Sequence, residues 1–586
     1  MKPTEEQQAI LDATGRVLLI NARAGTGKTT TLRMIASAHP DRKILYLVFN
    51  RKAREEAEEK FPGNVRVRTV HSLAFEAKWK DQVGPFTVFD MLPSFKGRKN
   101  SQQLAALTHD FLEFFMNSPF PKLDPALEMF QKEYLGNVSE DVKKLFQGSG
   151  DRVVKSCREI MRQWKKKEKP CPHDFYLKLF HSEERFYREL NRFDMVLVDE
   201  GQDLSPIMLD ALQHCQKRII VVGDTHQQIY SFRYAIDAMK RFPFDDQRDL
   251  TMSFRFGRDI AEVASLLIQE TKDEKGFRIT GNPQKSSRVS FYTDPPRPKV
   301  GERCAILSRT NLALFEKALG LRSRGIPFSL EGNIGAILWR ILDVYWLSEE
   351  ENDKIRDRFI QSFMSLEALE TYARDLDDFQ LSSMVKVVRE YAHVLPDAVY
   401  DMMKISNNTT ENQDGQGIIL STVHGAKGQE YDRVYIDPDI AASLSRPEAL
   451  LTNAFGDEAN IAYVGFTRAI RELHLPRDFK TILTPEWQEA IQRYEPVQLS
   501  RASKAPPMPR KKALRLGRPA TTRYGKFTIE ADLPKPPRKK PFKVGDRVKT
   551  SHGTGTVIEI DGEKYLVALD GQTARLWEKE WGLIKV

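Results

Sequence analysis

A phosphate-loop pattern near the amino terminus constrains the fold of this chain more than any other feature of its sequence. The apolar run at residues 17–20 predicts a buried strand, and residues 30–36 predict a helix. Between them lie the small and polar residues Ala22, Arg23, Ala24, Gly25, Thr26, Gly27, Lys28 and Thr29. Backbone N–H groups of such a loop close around phosphates where a helix begins. The pattern therefore predicts a strand–loop–helix unit that binds a nucleoside triphosphate.

The same pattern assigns chemistry to individual side chains of the loop. The ammonium group of Lys28 is expected to reach the β- and γ-phosphates, and the Thr29 hydroxyl to ligate Mg²⁺. Thr30 opens the predicted helix, and we count it among the nucleotide-binding residues. The structural alternative is a turn that binds no ligand, which the complete spacing of the motif disfavours.

A pair of carboxylates follows a second apolar run. Asp199 and Glu200 come directly after the apolar residues 196–198. Carboxylates at the carboxyl end of a buried strand are costly unless they serve a cation or a proton transfer. We expect Asp199 to hold Mg²⁺ and Glu200 to orient or deprotonate the attacking water. A surface Asp-Glu pair is the alternative, and the preceding apolar run disfavours it.

The composition is typical of a globular protein with several domains. A chain of 586 residues suggests roughly three to five domains, and its 41% apolar and 29% charged residues are ordinary values. No apolar run approaches the roughly 20 residues of a membrane span. The spacing of the four cysteines fits neither a disulfide framework nor a metal site. We therefore expect reduced thiols, a cytoplasmic location that is nucleoid-associated if the source is bacterial, and no membrane partner.

The net charge of +9 is concentrated in one segment. Residues 501–543 contain 14 lysines and arginines against two acidic residues, so the remainder of the chain is slightly acidic. This segment is also rich in proline, which is typical of a flexible linker or a tail that follows nucleic acid. A binding groove in the folded body must therefore be a local arrangement of charge.

Apolar runs alternate with helical patterns along most of the chain, which predicts parallel α/β sheets. The predicted strands lie at residues 17–20, 44–49, 195–198, 219–222, 305–308, 418–421 and 434–436. Two helical, charged stretches interrupt this alternation, and we interpret them as insertions into a two-lobed α/β body. The predicted domains are a first lobe at 1–84 and 191–250, its helical insertion at 85–190, a second lobe at 251–333 and 413–498, a reduced helical insertion at 334–412, a basic linker at 499–541, and a small module at 542–586.

Short motifs follow one another in a fixed order at positions 4–8, 22–29, 49–50, 69–73, 199–203, 223–233, 253–255, 422–430 and 463–469. This set resembles the motifs of one family, the superfamily 1 helicases of the UvrD/Rep/PcrA type, and among them the helicase core of the F-box DNA helicases. Each motif alone is weak, and their collinearity makes the match specific. The resemblance implies two RecA-like lobes with an ATP site in the cleft between them.

The resemblance also implies roles for individual residues around ATP. Gln7 is expected to read adenine, and Gln227 to contact the γ-phosphate. Arg255 and Arg468 belong to the second lobe and are expected to reach ATP across the cleft, where guanidinium groups stabilise phosphoryl transfer. Glu430 is expected to contact the nucleotide.

A second set of residues is implied to contact single-stranded DNA: Phe49, Asn50, Thr69, His71, Tyr230, Phe232, Arg233, Thr422 and His424. Phe232 is expected to stack on a base, which suits a motor because stacking tolerates any sequence. Ordinary core packing is the alternative for Phe232, and His71 and His424 are alternatively satisfied core histidines.

The last predicted module alternates short strands with glycine-bearing turns, which is typical of a small SH3- or Tudor-like barrel. It is similar to the tethered C-terminal domain of UvrD and PcrA, and this implies a protein partner such as RNA polymerase or a repair or defence protein. Trp577 and Trp581 belong either to a recognition face or to the core of this module.

Two functions are compatible with these motifs. The first is an ATP-dependent DNA helicase that moves 3′→5′ by family analogy and engages single strands and single-strand/duplex junctions in repair, recombination or replication. The second is a nucleic-acid-sensing ATPase that signals to a partner such as a nuclease without processive unwinding. The short insertion at 334–412 motivates the second reading.

Overall fold

The computed structural model describes residues 2–136, 138–229, 237–272, 274–292, 302–332, 334–407, 417–444 and 453–479, together with five strands between residues 547 and 585. Tyr230, Phe232, Arg233, Trp581 and the predicted linker at 499–541 lie outside these residues, as does the side chain of Trp577.

The first lobe begins with three βα units and is then interrupted by helices. Its first elements are α1 (Glu5–Leu11), β1 (Val17–Ala22), α2 (Lys28–Ala38), β2 (Ile44–Val48), α3 (Arg51–Lys60), β3 (Val65–Thr69) and α4 (Val70–Ala74). Seven helices follow: α5 (Val88–Met91), α6 (Ser101–Asn117), α7 (Leu123–Glu133), α8 (Glu140–Gln147), α9 (Gly150–Lys165), α10 (His173–Ser182) and α11 (Arg185–Leu190). These seven helices lie between residues 88 and 190, and the bounds of the insertion at 85–190 stay a prediction.

The chain then returns to complete the first sheet. The added elements are β4 (Met195–Val198), α12 (Pro206–Gln213), β5 (Arg218–Gly223), α13 (Ala238–Arg241) and β6 (Asp246–Leu250). The strand order is β3-β2-β4-β5-β1-β6, and every pairing is parallel. Because β4, β5 and β1 are neighbours, the phosphate loop and the residues that follow β4 and β5 meet at one edge of the sheet.

The central strands of this sheet are buried on both faces, which is why they appear in the sequence as continuous apolar runs. Alternate residues of β1 belong to different cores. Val17 and Leu19 pack with the helical insertion, whereas Leu18 and Ile20 pack with helices of the opposite face, including Leu32 of α2. The helical insertion therefore extends one of the two cores of the first lobe.

The second lobe has the same architecture. Its elements are α14 (Arg258–Lys272), β7 (Arg288–Tyr292), β8 (Cys304–Ser308), α15 (Asn311–Ser323), β9 (Phe328–Leu330), β10 (Ile418–Thr422), α21 (Val423–Ala426), β11 (Tyr431–Ile436), α22 (Pro438–Leu444), α23 (Asn453–Phe466) and β12 (Ala469–Pro476). The strand order is β7-β12-β11-β8-β10-β9, again with parallel pairing. Between β9 and β10, the described residues 334–407 form five α-helices: α16 (Ile334–Ser348), α17 (Arg358–Gln361), α18 (Leu366–Asp375), α19 (Phe379–Tyr391) and α20 (Leu395–Asn407).

The prediction of two parallel α/β sheets is confirmed, and each of the seven predicted strands overlaps an observed strand, with ends that differ by up to three residues. The sequence analysis missed β3, β6, β7, β9 and β12. Four of these, all but β12, are edge strands. An edge strand exposes more side chains, so β3 and β6 carry charged residues and lack a continuous apolar run.

The strands near the carboxyl terminus form a separate antiparallel sheet. They are β13 (Arg547–Thr550), β14 (Gly553–Asp561), β15 (Lys564–Leu569), β16 (Arg575–Lys579) and β17 (Ile584–Lys585), in the order β16-β15-β14-β13-β17. The predicted closure of this module into a barrel stays a prediction. Among the helices that the structure describes, none combines the length and the apolar character needed to cross a membrane.

Candidate active site and nucleic-acid interface

The phosphate loop connects the end of β1, at Ala22, to the start of α2, at Lys28. Gly25 and Gly27 have φ angles of 73° and 79°, a region that residues other than glycine rarely adopt. A Cβ atom added to Gly25 would also lie 2.6 Å from Ser253 Oγ and 2.7 Å from Arg255 Cβ. Glycine at this position therefore permits both the turn and the close approach of the Ser253–Arg255 segment.

Lys28 lies among carboxylates at the same sheet edge. Its Nζ atom is 3.3 Å from Glu200 Oε2. Burial by itself lowers the pKa of Lys28, yet the carboxylates of Glu200, Asp199 and Asp224 outweigh this and raise it. Lys28 is therefore protonated at neutral pH, at the end of the loop where α2 begins.

The two carboxylates after β4 have different environments. Burial and the neighbouring Glu200 raise the pKa of Asp199, whose Oδ2 accepts a hydrogen bond of 2.7 Å from the Tyr46 hydroxyl. Although burial alone raises the pKa of Glu200, the charges of Lys28 and Lys427 dominate and lower it. The pKa values of these two adjacent carboxylates are therefore shifted in opposite directions.

The oxygen atoms predicted to hold Mg²⁺ have a common neighbour. The Tyr46 hydroxyl contacts both the Asp199 carboxylate and the Thr29 side chain. Carboxylate and hydroxyl oxygens are hard donors that Mg²⁺ prefers, and magnesium usually keeps several waters and nucleotide oxygens as its other ligands. Thr29 and Asp199 therefore fit a magnesium ion that is shared with bound nucleotide.

The backbone at Glu200 is strained. This residue has φ 51° and ψ 49°, a left-handed conformation that is uncommon for a residue other than glycine. The Gln202 amide donates a hydrogen bond of 2.5 Å to Glu200 Oε2, and its Oε1 accepts one of 3.0 Å from the backbone N–H of Asp224. The sequence analysis included Gln202 in the motif at 199–203 but gave it no role; this side chain is fully buried and orients the Glu200 carboxylate.

The side chain of Gln227 contacts Asp224, which follows β5. Its Nε2 atom donates a hydrogen bond of 2.7 Å to Asp224 Oδ2, and its side chain is buried. The hydroxyl of Tyr463, in the second lobe, lies 3.0 Å from the same oxygen atom. The structure therefore places Gln227 beside the phosphate loop and within a contact that joins the two lobes.

The two predicted arginines lie close to each other on the second-lobe side of the loop. Arg255 donates to Glu430 Oε1 at 2.7 Å and to the Thr467 carbonyl at 2.6 Å. Arg468 is 2% exposed, and burial, followed by the charge of Arg255, lowers its pKa to about 9. The two guanidinium groups have little exposure to solvent and repel each other, so binding of an anion such as a triphosphate between them is favourable.

Gln7 lies where α1 meets α2. Its amide donates a hydrogen bond of 3.1 Å to the Thr31 hydroxyl and accepts one of 3.1 Å from the Thr4 backbone, which closes the cap of α1. The ring of Phe254 is 3.5 Å from the position of a Cβ on Gly27, and Gln7 Nε2 is 3.8 Å from it. Phe254 lies in the motif at 253–255 but was given no role in the sequence analysis, although it is 39% exposed beside the loop.

The predicted DNA contacts follow the carboxyl ends of β2, β3 and β10. Phe49 is 50% exposed directly after β2. Asn50, Thr69 and Thr422 are each the residue that caps a helix, namely α3, α4 and α21, and each accepts a hydrogen bond from the backbone of that helix. These three side chains therefore have a structural role at the positions where DNA contact is expected.

The two histidines of these motifs have different partners. His71 Nε2 is 2.8 Å from Asp174 Oδ1, in the helical insertion. His424 Nε2 is 3.0 Å from the carbonyl oxygen of Ile229 in the first lobe. Burial, with the charge of Arg309, lowers the pKa of His424 to about 4, so this ring is neutral at pH 7 and donates to the carbonyl across the cleft.

Two family models match this chain. The UvrD/REP helicase N-terminal domain matches residues 3–243, and the UvrD-like helicase C-terminal domain matches residues 345–476. Together these segments cover more than half of the chain.

Similar proteins include two F-box helicases and a bacterial helicase. The chain is 29% identical to F-box DNA helicase 1 of Gallus gallus over 82% of its own length and 50% of that protein. It is 28% identical to F-box DNA helicase protein 1 of Schizosaccharomyces pombe, over 80% of this chain and 57% of that protein. It is also 26% identical to DNA helicase IV of Escherichia coli, over 50% of this chain and 52% of that protein. The chain thus spans about half the length of the relatives it matches.

Proposed function

Because the chain belongs to the UvrD-like helicases, we propose that it is an ATP-dependent DNA helicase that translocates along single-stranded DNA. One observation carries this proposal beyond family membership. Glu200 of the first lobe, which pairs with Lys28, lies within electrostatic reach of Arg468, which belongs to the chain after β6. A site assembled from two lobes can convert the state of the nucleotide into movement of one lobe against the other.

Nucleotide binding would rearrange the charges at this site. Glu200 pairs with Lys28, and that cation lowers the pKa of the carboxylate. A triphosphate attracts Lys28, so Glu200 loses its partner and becomes a stronger base for the attacking water. Mg²⁺ held by Thr29 and Asp199 would neutralise charge on the phosphates. Arg255 and Arg468 would stabilise the charge that develops during phosphoryl transfer.

The base of ATP is proposed to lie at the junction of α1 and α2. Gln7 and Phe254 flank the start of α2 there. The Gln7 amide still has a second N–H group and a second lone pair available for the edge of adenine. The exposed face of Phe254 offers a stacking surface for the ring of the base.

DNA is proposed to follow the carboxyl edges of both sheets, where Phe49, Thr69, His71, Thr422 and His424 lie. Exposed aromatic rings stack on bases of any sequence, as a motor requires. Movement in the 3′→5′ direction, action at single-strand/duplex junctions, and a role in repair, recombination or replication extend this proposal by family analogy. A protein partner for the carboxyl-terminal module, location at the nucleoid, and the domain boundaries given above are likewise proposed.

ATP hydrolysis stimulated by single-stranded DNA tests this proposal. The wild-type protein is expected to hydrolyse ATP faster with a single-stranded oligonucleotide, and Lys28→Ala to lose both basal and stimulated activity. Lys132→Ala is the matched control, because this lysine is 78% exposed on α7, outside the site. Absence of stimulation in the wild-type protein contradicts the proposal.

A second candidate is a DNA-sensing ATPase that does not unwind duplexes. The observation that favours it is the small insertion of the second lobe, which has five helices among the described residues 334–407. Strand displacement on duplexes with a 3′ or a 5′ single-stranded tail separates the two candidates and also measures the direction of movement. Stimulated hydrolysis without strand displacement on either substrate favours the sensor.

A further inference from the structure

A tyrosine of the second lobe reaches the phosphate loop of the first. Tyr463 lies on α23 and is fully buried. Its hydroxyl accepts a hydrogen bond of 3.3 Å from the backbone N–H of Ala24 and donates one of 3.0 Å to Asp224 Oδ2. One oxygen atom of the second lobe therefore contacts two strand ends of the first lobe.

Asp224 connects this hydroxyl to the carboxylate of Glu200. The backbone N–H of Asp224 donates to Gln202 Oε1 at 3.0 Å, and Gln202 Nε2 donates to Glu200 Oε2 at 2.5 Å. Gln227 Nε2 adds a bond of 2.7 Å to the same Asp224 oxygen that Tyr463 contacts. A continuous series of hydrogen bonds thus runs from the second lobe to the residue proposed as the base.

The ring of Tyr463 is held in place by aromatic neighbours. It makes edge contacts with His226 at 6.0 Å and with Phe277 at 5.9 Å between ring centroids. Phe277 also packs under the guanidinium group of Arg23, 4.3 Å away. Burial, with the nearby charge of Asp224, raises the pKa of Tyr463 well above its usual value, so the hydroxyl keeps its proton. The hydroxyl is thus a fixed donor to Asp224.

We propose that the Tyr463 hydroxyl is a positioning group that makes ATP hydrolysis depend on closure of the two lobes. This inference rests on the proposed function. When the lobes separate, the Ala24 N–H and the Asp224 carboxylate lose a shared partner, and the orientation of Glu200 through Gln202 relaxes. When the lobes close, the same hydroxyl aligns the phosphate loop and the base together.

Tyr463→Phe tests the inference, because it keeps the ring and its packing and removes only the hydroxyl. Loss of a hydrogen bond to a buried carboxylate is expected to lower the DNA-stimulated kcat by about 10- to 100-fold. The KM for ATP, the affinity for ADP without DNA, and the thermal unfolding midpoint are expected to change little. A purely structural role would shift the unfolding midpoint and leave kcat of the folded fraction intact.

Tyr292→Phe is the matched control. The Tyr292 hydroxyl donates a hydrogen bond of 2.7 Å to the Ile436 carbonyl, which lies in the same lobe, so its loss breaks no contact between lobes. Its stimulated kcat is expected to equal that of the wild-type protein. An unchanged kcat in Tyr463→Phe, or an equal loss in Tyr292→Phe, overturns the inference, whereas the proposed function stands as long as the wild-type protein responds to DNA.

A double-mutant cycle with Gln202→Leu tests the connection to Glu200. If the hydroxyl acts through Gln202, the double variant is expected to lose about as much kcat as the worse single variant. Losses that multiply would show independent effects and overturn this part of the inference. The cycle uses the full-length chain with single-stranded oligonucleotide at saturation.

Discussion

The ammonium group of Lys427, in the second lobe, forms an ion pair with the buried carboxylate of Asp203, in the first. Lys427 Nζ also donates a hydrogen bond of 2.8 Å to the carbonyl of Gln227. Burial raises the pKa of Asp203 to about 6, although the charge of Lys427 acts in the opposite direction. The ion pair between the lobes therefore depends on pH near 6.

We expect the DNA-stimulated ATPase to fall as the pH is lowered through about 6, because protonation of Asp203 removes the charge that attracts Lys427. The free energy of unfolding is expected to respond in the opposite sense. A carboxyl group whose pKa is higher in the folded protein than in the unfolded chain stabilises the fold fully when the pH is below the pKa of the unfolded chain. This contribution is lost as the pH rises through about 6.

Asp203→Asn checks this assignment through the pH–rate profile between pH 5 and 8. The variant carries no titratable group at this position, so its rate is expected to be lower and flat across the acid limb. A variant that keeps the wild-type acid limb would show that another group controls it.

Lys178 is expected to make unfolding pH-dependent on the alkaline side. This buried lysine donates to the carbonyls of Ser118 and Phe120 at 2.6 Å and 2.7 Å, and burial lowers its pKa to about 7. Between pH 7 and the ordinary pKa of lysine, Lys178 is protonated in the unfolded chain but largely neutral in the folded protein. The free energy of unfolding therefore rises with pH, by up to about 1.4 kcal/mol per pH unit.

Urea unfolding at several pH values from 7 to 10 measures this slope. Lys178→Met is expected to have a smaller slope than the wild-type protein, whatever its absolute stability. Lys132→Met, which changes a lysine that is 78% exposed, is expected to keep the wild-type slope. Equal slopes in all three proteins would contradict the prediction.

Gly25→Ala is expected to abolish tight nucleotide binding. Its φ of 73° is unfavourable for alanine by about 1–2 kcal/mol, and its Cβ would overlap Ser253 and Arg255. Titration with a fluorescent ATP analogue is expected to show at least tenfold weaker binding. Gly63→Ala is the control, since a Cβ on Gly63 meets no atom within 4 Å, and it is expected to bind as the wild-type protein does.

Phe49→Ala is expected to weaken binding of single-stranded DNA by roughly 5- to 150-fold, which corresponds to the loss of one base stack. Phe244→Ala is the matched control, because Phe244 is 48% exposed but lies just before β6, at the amino edge of the parallel sheet. Fluorescence anisotropy with a labelled oligonucleotide measures both. Equal losses in the two variants would place the DNA elsewhere.

Local patterns in the sequence were sufficient for the phosphate loop and for the central strands. Residues 195–198 were predicted as a strand with the observed bounds of β4, because a strand buried on both faces is a continuous apolar run. The same argument failed for the edge strand β6, Asp246–Leu250, which has three charged residues among its five. The prediction that Asp199 and Glu200 follow a buried strand is confirmed, whereas their roles stay predictions.

From the sequence alone we could predict which short segments carry the nucleotide chemistry, since each motif is a local match between side chains and a strand end. Only the tertiary structure decided which of these segments touch. Lys427 and Asp203 are 224 residues apart, and Ala24 and Tyr463 are 439 apart, yet both pairs are in contact. Such contacts arise because the packing of the two lobes against each other sets the distance between the edges of their sheets. Tyr463 and Lys427 acquire their partners from that packing, and a pattern within one segment cannot predict it.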